Sequence, residues 1–185
     1  MSRSNPPARE RRATRLARKA AETLAHDTAI HPNPSDRVVL AGSSGGHLAQ
    51  LLPLRDLFAP DHRTWVTFQT PDAVGALAEE GDVVWGHHPT TRNIPNLLRN
   101  AAQAWRVMRR VRPDYVVSTG AAIALPYFVL SRLFGARTIY IEVYDRVDSA
   151  TLTARLCRPF TDLFAVQWPE QRPLFRGAVV IGPLL

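Results

Sequence analysis

The sequence predicts an α/β fold in which a doubly wound, mostly parallel sheet carries helices on both faces. From Arg37 onward, short runs of β-favouring residues alternate with segments of helical periodicity, which is typical of repeated β-α units. The earliest unit also has a glycine-rich turn between its strand and its helix. We therefore expect one domain over residues 37–185, preceded by a basic tail and linker over residues 1–36.

The predicted elements alternate in chain order. Pro53 should kink the first helix, whereas Pro126 falls in the first turn of the fourth, where a missing N–H costs little. Strands are expected at residues 37–41, 64–68, 82–86, 115–118, 137–142, 163–166 and 178–181. Helices are expected at residues 47–58, 72–80, 95–111, 124–134 and 150–157.

The predicted helix at residues 95–111 carries an apolar stripe. Because a surface helix normally turns such a stripe toward the protein interior, we interpret it as part of the core and not as a binding surface. The residues at helical spacing are Leu98, Ala101, Trp105, Met108 and Val111.

The turn after the first predicted strand is the strongest candidate for a binding site. Glycine lets the backbone approach a ligand closely, and the free N–H groups of the following helix would face an anion held in the turn. His47 would add a titratable donor or acceptor, unless it only caps the helix. The turn lacks the lysine of a Walker loop and the spacing of a dinucleotide fingerprint, so a turn that needs glycine for geometry alone is the alternative. Its residues are Gly42, Ser43, Ser44, Gly45 and Gly46.

Other candidate residues follow later strands. Because parallel strands end at one edge of the sheet, we expect Ser118, Thr119 and Gly120 to face the glycine-rich turn and to suit an anion. Glu142 and Arg146 follow the fifth strand, where they form either a local ion pair or a contact with a sugar or phosphate. Two adjacent histidines after the third strand cannot point at one metal ion on an extended chain, so no metal site is predicted.

Composition restricts the partners and the compartment. The chain has 23 Lys and Arg residues against 16 acidic ones, and its net charge of +7 suits phosphates, an acidic membrane surface or nucleic acid. The single cysteine, Cys157, excludes an internal disulfide and fits a reducing compartment. The longest apolar run, at residues 121–130, is too short to span a bilayer. We therefore expect a soluble or peripheral cytoplasmic protein.

The tail at residues 1–36 differs from the rest of the chain because it is rich in arginine and ends in a proline-containing segment. Alanine and leucine at helical spacing give part of the tail an apolar stripe with arginines around it. We expect a largely disordered tail, with contacts to an anionic membrane or to nucleic acid as the alternatives.

Several stretches together resemble the Alg14 family, whose bacterial relatives include proteins called PssD, CpsF and EpsE. The resemblance covers residues 37–185 and leaves out the tail. The glycine-rich opening alone is also similar to that of MurG-type glycosyltransferases. The stretches are Gly42–His47, Ser118–Gly120, Tyr140–Glu142, Arg146–Val147 with Ser149, Leu152–Thr153, Val166–Pro169 and Ile181–Pro183.

The resemblance implies a Rossmann-like, amino-terminal-type domain of a GT-B glycosyltransferase. Such a domain would bind a polyprenyl-diphosphate-linked sugar at the cytoplasmic face of the membrane. A separate protein similar to Alg13 would bind the UDP-sugar donor, with chemistry like that of a UDP-N-acetylglucosamine transferase. The resemblance therefore implies a membrane-associated heterodimer in polysaccharide biosynthesis, inactive without its partner, with no cofactor and no nucleic acid.

The resemblance also suggests roles for the candidate residues. The turn at residues 42–46 would hold the acceptor diphosphate or developing charge, and His47 would accept a proton from the attacking hydroxyl. Glu142 and Arg146 would position the acceptor or the partner. Two alternatives stay open, namely a nucleotide-binding module of an oxidoreductase and a nucleic-acid-binding protein that acts through its arginine-rich tail. The absent dinucleotide fingerprint counts against the first.

Overall fold

A computed structural model describes residues 30–90 and 93–185, together with Arg15, Lys19, Glu22 and Thr23. Within these ranges the chain forms one seven-stranded sheet in which all neighbouring strands are parallel. The contacts expected of the basic tail lie outside the described residues. The strands are β1 (Val38–Ala41), β2 (Arg63–Phe68), β3 (Val83–Gly86), β4 (Tyr115–Ser118), β5 (Arg137–Ile141), β6 (Leu163–Val166) and β7 (Val179–Val180).

Five α-helices connect or follow these strands, close to the predicted positions. The first ends at Leu51 and continues as a 3₁₀ helix over Leu52–Leu57 with Pro53 in its first turn, so the α-helical part is shorter than predicted and the helix type changes at the proline. Pro126 lies in the first turn of the fourth helix, as predicted. The helices are α1 (Gly46–Leu51), α2 (Pro71–Ala76), α3 (Ile94–Val111), α4 (Leu125–Phe134) and α5 (Leu152–Cys157). Further 3₁₀ turns cover Pro60–His62, Ala122–Ala124, Arg158–Phe160 and Pro169–Leu174.

The order of the strands places a topological switch point between β1 and β4. The order is β3-β2-β1-β4-β5-β6-β7, so the chain first builds outward from β1 and then returns to add β4 on its other side. Ala41 at the end of β1 pairs with Ser118 at the end of β4. The loops after these two strands therefore lie at the switch point, where ligands bind in doubly wound sheets.

The sheet separates two apolar cores. Because side chains alternate along a strand, Leu40 packs on the α1 and α2 side, whereas Val39 packs on the α3, α4 and α5 side. On the latter side, the ring of Phe164 stacks between Tyr140 and Phe175, with centroid separations of 4.9 and 4.1 Å. These contacts fix the strands whose ends carry the candidate site.

Residues expected to belong to the linker contribute to the domain. Ile30 is buried against the core on the α1 side. The carbonyl oxygen of Pro34 accepts a hydrogen bond of 2.8 Å from the N–H of Ala59. The packed part of the chain therefore includes residues before Arg37.

The interpretation of the α3 stripe is wrong. Met108 is buried, but Leu98 and Trp105 are 65% and 45% exposed. The inward face instead carries Asn100, whose side chain accepts from the N–H of His87 at 2.8 Å and donates to its carbonyl at 2.9 Å. Asn96 likewise donates to the carbonyl of Pro89 at 3.0 Å. The loop after β3 supplies these backbone partners, so the first half of α3 turns amides inward, whereas Ala104, Val107 and Met108 pack its second half against the core.

Three further facts limit the chemistry of the domain. Cys157 on α5 is fully buried, which raises the pKa of its thiol to about 12. In the part of the chain that the structure describes, no group of three His, Cys, Asp or Glu side chains could hold a metal ion. Within the same part, no helix is both long enough and apolar enough to cross a bilayer.

Candidate functional site

The loop after β1 is open on its outer side. Gly45 has a φ of 72°, a backbone conformation that favours glycine, and it immediately precedes α1. A Cβ atom built on Gly45 or Gly46 would meet no described atom within 4 Å, and both residues are exposed. Ser43 and Ser44 are half-buried beside them. A Cβ on Gly42 would instead lie 2.9 Å from Leu51 Cδ1, so that glycine serves packing.

A carboxylate of the protein contacts this loop. Asp72 Oδ2, at the start of α2, accepts a hydrogen bond of 3.1 Å from the N–H of Gly45. The neighbouring Thr70 side chain is the main cause that lowers the pKa of Asp72, and the Gly45 amide adds to the shift. Asp72 could not be predicted from the sequence. It reaches the loop only because β2, which precedes it in the chain, lies next to β1 in the sheet. The contact indicates that the loop amide can bind an anionic oxygen.

His47 is held in one tautomer by the loop after β4. Its Nδ1 lies 2.9 Å from the carbonyl oxygen of Thr119, which can only accept, so Nδ1 carries the proton and Nε2 keeps its lone pair. Thr119 Oγ1 in turn donates to the carbonyl oxygen of His47 at 2.8 Å. Burial lowers the pKa of His47 below its ordinary value of 6.5, although the Thr119 bond and the charge of Asp145 oppose the shift. The imidazole is therefore neutral at pH 7.

The polar groups of the loop after β4 are bonded within the protein. Ser118 Oγ, which is fully buried, accepts from the N–H of Gly120 at 2.8 Å. Gly120 has a φ of 112°, and a Cβ there would lie 2.8 Å from Tyr140 Oη and 3.2 Å from His47 Cε1. Ser118, Thr119 and Gly120 thus stand directly behind the His47 ring, and their contacts orient that ring.

Glu142 lies at the end of β5 and is fully buried. Its Oε1 accepts from the N–H of Val143 at 3.2 Å and from Thr151 Oγ1 at 3.3 Å. Among the residues that the structure describes, Oε2 has no hydrogen-bond partner. Burial raises the pKa of this carboxyl above its ordinary range, with a smaller opposing effect from the charge of Arg146. Glu142 is therefore a buried acid with one oxygen that has no hydrogen-bond partner among the described residues.

Arg146 is exposed on the loop that follows Glu142. Of the two alternatives predicted for this pair, the local ion pair does not form, since no Arg146 nitrogen lies within 4.0 Å of the Glu142 carboxylate in the described part of the chain. The guanidinium group is therefore directed to solvent at the same edge of the sheet.

A buried glutamine that was not predicted from the sequence connects two of these loops. Gln50 on α1 donates from Nε2 to the carbonyl oxygen of Gly46 at 2.9 Å. Its Oε1 accepts from the N–H of Tyr144 at 3.2 Å and from Gln167 Nε2 at 2.5 Å. The glycine-rich loop and the loop after β5 are thus joined through one side chain. Gln167 lies in the Val-Gln-Trp-Pro stretch that the family resemblance singled out, but the resemblance assigned no role to this residue.

Several curated proteins similar to this chain share one name. The protein called UDP-N-acetylglucosamine transferase subunit ALG14 from Eremothecium gossypii is 26% identical over 185 residues, covering 82% of this chain and 81% of its own. The human protein of that name is 27% identical over 84% of this chain and 86% of its own. A protein from Ralstonia nicotianae is 28% identical over 80% of this chain and 42% of its own length. Its name is UDP-N-acetylglucosamine--N-acetylmuramyl-(pentapeptide) pyrophosphoryl-undecaprenol N-acetylglucosamine transferase.

Solved structures agree on the fold. MurG from Acinetobacter baumannii superimposes with a TM-score of 0.62 at 18% identity, covering 80% of this chain and 46% of that protein. The MnaA protein of S. aureus in complex with UDP gives a TM-score of 0.59 at 12% identity, covering 74% and 40%. The chain thus spans less than half the length of these neighbours. Their likeness confirms the predicted Rossmann-like domain.

The family assignment follows from a sequence profile. The profile described as oligosaccharide biosynthesis protein Alg14 like matches residues 87–184, which is more than half of the chain. The matched segment contains the loop after β4, Glu142, Arg146 and the Val-Gln-Trp-Pro stretch. With the motifs, the fold and the profile in agreement, this chain belongs to the Alg14-like family of oligosaccharide biosynthesis proteins.

Proposed function

We propose that this protein is the acceptor-binding subunit of a two-component glycosyltransferase. Together with a catalytic subunit similar to Alg13, it transfers N-acetylglucosamine from a UDP donor to a polyprenyl-diphosphate-linked sugar, in exopolysaccharide, capsule or lipid-linked oligosaccharide synthesis. The observation that carries the proposal is the open glycine-rich loop beside a neutral His47 at the switch point of an Alg14-like chain.

Two components are proposed from the names of the curated relatives and from a comparison with MurG. The MurG fold is about twice as long as the part that this chain matches. The curated relatives of similar length carry the word subunit in their names. A partner domain that binds the UDP-sugar would face the carboxyl edge of the sheet, where the loops after β1, β4 and β5 converge.

The glycine-rich loop is proposed to hold the acceptor diphosphate. Its backbone is exposed at Gly45 and Gly46, with the hydroxyls of Ser43 and Ser44 beside them. Asp72 already places an anionic oxygen 3.1 Å from the Gly45 nitrogen, and a phosphate oxygen would replace it there. The loop at Ser118, Thr119 and Gly120 supports this arrangement from behind.

His47 is proposed as the proton acceptor. As a bond forms between the acceptor hydroxyl oxygen and C1 of the donor sugar, the bond from C1 to the UDP oxygen breaks and UDP leaves with the electron pair. The hydroxyl proton passes to Nε2 of His47, which holds a free lone pair because Nδ1 donates to Thr119. Burial favours the neutral ring before the reaction. Glu142 and Arg146 are proposed to position the acceptor or the partner.

A peripheral contact with the inner face of the plasma membrane is part of the proposal. The exposed stripe of α3 includes Ile94 and Leu98, which are 70% and 65% exposed. Because helices in β-α units begin at the carboxyl edge of the sheet, Ile94 lies near the candidate site. Neighbouring helices add Leu133 and Leu152, each 72% exposed. Exposed arginines on α3 that suit anionic lipid are Arg99, Arg106 and Arg109, whereas the exposed Arg110 pairs with Asp82.

The proposal is tested by reconstitution with a partner. The gene for a small doubly wound protein that neighbours this one would be co-expressed, and transfer of labelled N-acetylglucosamine from UDP to a polyprenyl-diphosphate-linked sugar would be measured. We expect transfer only when both chains are present. Transfer by this chain alone would contradict the two-component proposal, and the absence of transfer with the partner present would contradict the assigned reaction.

A further inference from the structure

Three glutamines are buried behind the candidate site. Gln50 and Gln167 are each 1% exposed, and Gln171 is 0% exposed. They come from α1, from the end of β6 and from the 3₁₀ turn after it. The transfer reaction proposed above uses none of them. Buried amides must be hydrogen-bonded, so their partners indicate what they hold in place.

Their partners are the backbone of the loop after β5. Gln171 Nε2 donates to the carbonyl oxygens of Val143 at 2.7 Å and Arg146 at 3.0 Å. Gln167 Nε2 donates to the carbonyl of Glu142 at 3.0 Å. Trp168 adds a hydrogen bond of 2.9 Å from its indole N–H to the carbonyl of Tyr144. These side chains, together with the backbone bonds of Glu142 to Ala165 and of Arg146 to Val143, therefore hold the path of residues 142–146.

Gln50 extends this hydrogen-bond network to the glycine-rich loop. Among the hydrogen bonds of the described residues, its side chain is the one that contacts both the carbonyl of Gly46 and the N–H of Tyr144. The same Oε1 also accepts from Gln167, at 2.5 Å. A neutral amide suits this position because it offers a donor to one loop and an acceptor to the other, whereas a carboxylate has no donor.

We propose that Gln50 and Gln167 are positioning residues that set the separation between the glycine-rich loop and the segment that carries Glu142 and Arg146. The inference rests on the proposed function, in which the first loop holds the diphosphate and the second contacts the attached sugar. An acceptor that bridges both loops is sensitive to their separation. A UDP-sugar bound by the partner subunit does not bridge the two loops, so its binding is not sensitive to their separation.

The test uses volume-conserving variants of the full chain. Gln50→Met and Gln167→Met keep the size of the side chain but remove its hydrogen bonds. Gln103→Met is the matched control, because Gln103 is a partly buried glutamine on α3 that donates to the carbonyl of Trp85, away from both loops. Two quantities are measured, namely hydrogen exchange at the Tyr144 amide and the KM for each substrate in the reconstituted complex.

We expect Gln50→Met to raise the exchange rate of the Tyr144 amide at least tenfold. The KM for the polyprenyl-diphosphate-linked acceptor should rise about tenfold, which corresponds to the loss of one to two hydrogen bonds. The KM for the UDP-sugar should stay within twofold, and Gln103→Met should change neither quantity. Gln167→Met should affect acceptor KM in the same direction, because Gln167 acts through Gln50 and the Glu142 carbonyl.

A second variant covers the case in which Gln50→Met does not fold. Gln50→Glu keeps an acceptor for the Tyr144 amide but loses the donor to Gly46. It should preserve the slow exchange at Tyr144 and still raise the acceptor KM. Unchanged exchange and unchanged acceptor KM in a folded variant would overturn the inference, as would an equal rise of both KM values. If the wild-type complex transfers no sugar, the proposed reaction fails, whereas the exchange measurement still decides whether the glutamines hold the loop.

Discussion

Nδ1 of His47 lies 2.9 Å from the carbonyl oxygen of Thr119, although 72 positions separate the two residues in the chain. The bond crosses the switch point of the sheet, because His47 follows β1 and Thr119 follows β4. It fixes the tautomer and the orientation of the imidazole. Most of the expected behaviour of the site depends on this ring.

Replacing His47 by Gln should reduce kcat of the reconstituted complex by about 10²- to 10⁴-fold, the usual range for removal of a general base. Because burial lowers the pKa of His47, activity of the wild-type complex should be lost with decreasing pH only below about 6.5, as the ring gains a proton. The pH profile of kcat/KM measures this loss of activity on the acidic side. His87→Ala, which changes an exposed histidine at the same edge of the sheet, is the control. An unaltered kcat in the Gln variant would exclude His47 as the base.

Replacing Gly120 by Ala should destabilise the protein by about 1–3 kcal/mol. The residue has a φ of 112°, and the added Cβ would lie 2.8 Å from Tyr140 Oη and 3.2 Å from the His47 ring. Denaturant unfolding measures the change. Gly75→Ala is the matched control, because Gly75 lies inside α2 with no described atom within 4 Å of its added Cβ, and this variant should be slightly more stable. Equal stability of the two variants would contradict the geometry at Gly120.

Replacing Glu142 by Gln should make stability less dependent on pH. Burial raises the pKa of Glu142 in the folded state, so the native protein binds more protons than the unfolded chain, and stability falls as pH rises from about 4.5 through the raised pKa. The amide cannot ionise, so this loss disappears in the variant. Unfolding free energies of both proteins at pH 5 and pH 8 measure the difference. An identical loss of stability between these pH values in both proteins would show that Glu142 is not its source.

Replacing Asp72 by Asn should strengthen the binding of pyrophosphate. The carboxylate contacts the Gly45 amide, where it both occupies the N–H and repels an incoming anion. We expect an affinity gain of about fivefold at low salt, decreasing as ionic strength rises. Calorimetric titration of the isolated chain measures it. Glu79→Gln removes the same charge from an exposed position near the end of α2 and should leave the affinity almost unchanged. A weaker pyrophosphate affinity in the Asn variant would place the anion elsewhere.

Replacing Leu98 and Leu133 by Glu should weaken binding to vesicles of anionic phospholipid by about tenfold for each residue. Both side chains are more than 60% exposed, at 65% and 72%, so the fold should tolerate the changes. Sedimentation with vesicles that contain or lack anionic lipid measures the binding. Val74→Glu, which alters an exposed apolar residue of α2 on the opposite side of the sheet, is the matched control. If all three variants bind equally, the α3 and α4 surface does not contact the membrane.

Much of the fold could be predicted because strong local patterns coincide with the real elements. The strands β1, β4 and β6 are short runs buried on both faces, and such runs are typical of parallel sheets. Since parallel strands share one carboxyl edge, the same pattern predicted which loops meet. The loops after β1, β4 and β5 do lie at that edge.

The orientation of α3 could not be predicted from periodicity. A helical period identifies a stripe, but it does not say which side of the helix finds hydrogen-bond partners. Asn96 and Asn100 face inward because the backbone of the loop after β3 satisfies their amides. Those partners exist only once the loop has folded back along the helix.

The glutamine contacts could not be predicted from the sequence either. Gln50 meets the Tyr144 amide across 94 positions and Gln167 across 117 positions of sequence. These contacts require β1, β4, β5 and β6 to lie side by side in that order, which no local pattern specifies. The resemblance to a family singled out the Val-Gln-Trp-Pro stretch but could not supply the geometry.

The buried thiol on α5 makes the protein a convenient frame for site-directed labelling. Cys157 is inaccessible, and its pKa of about 12 keeps it protonated, so maleimide or nitroxide reagents should leave it unmodified in the folded state. A cysteine introduced in place of Leu98 would then be the sole reactive position. Fluorescence quenching from lipid-borne groups at that position would report how deeply the helix sinks into a bilayer, without removing the native sulfhydryl.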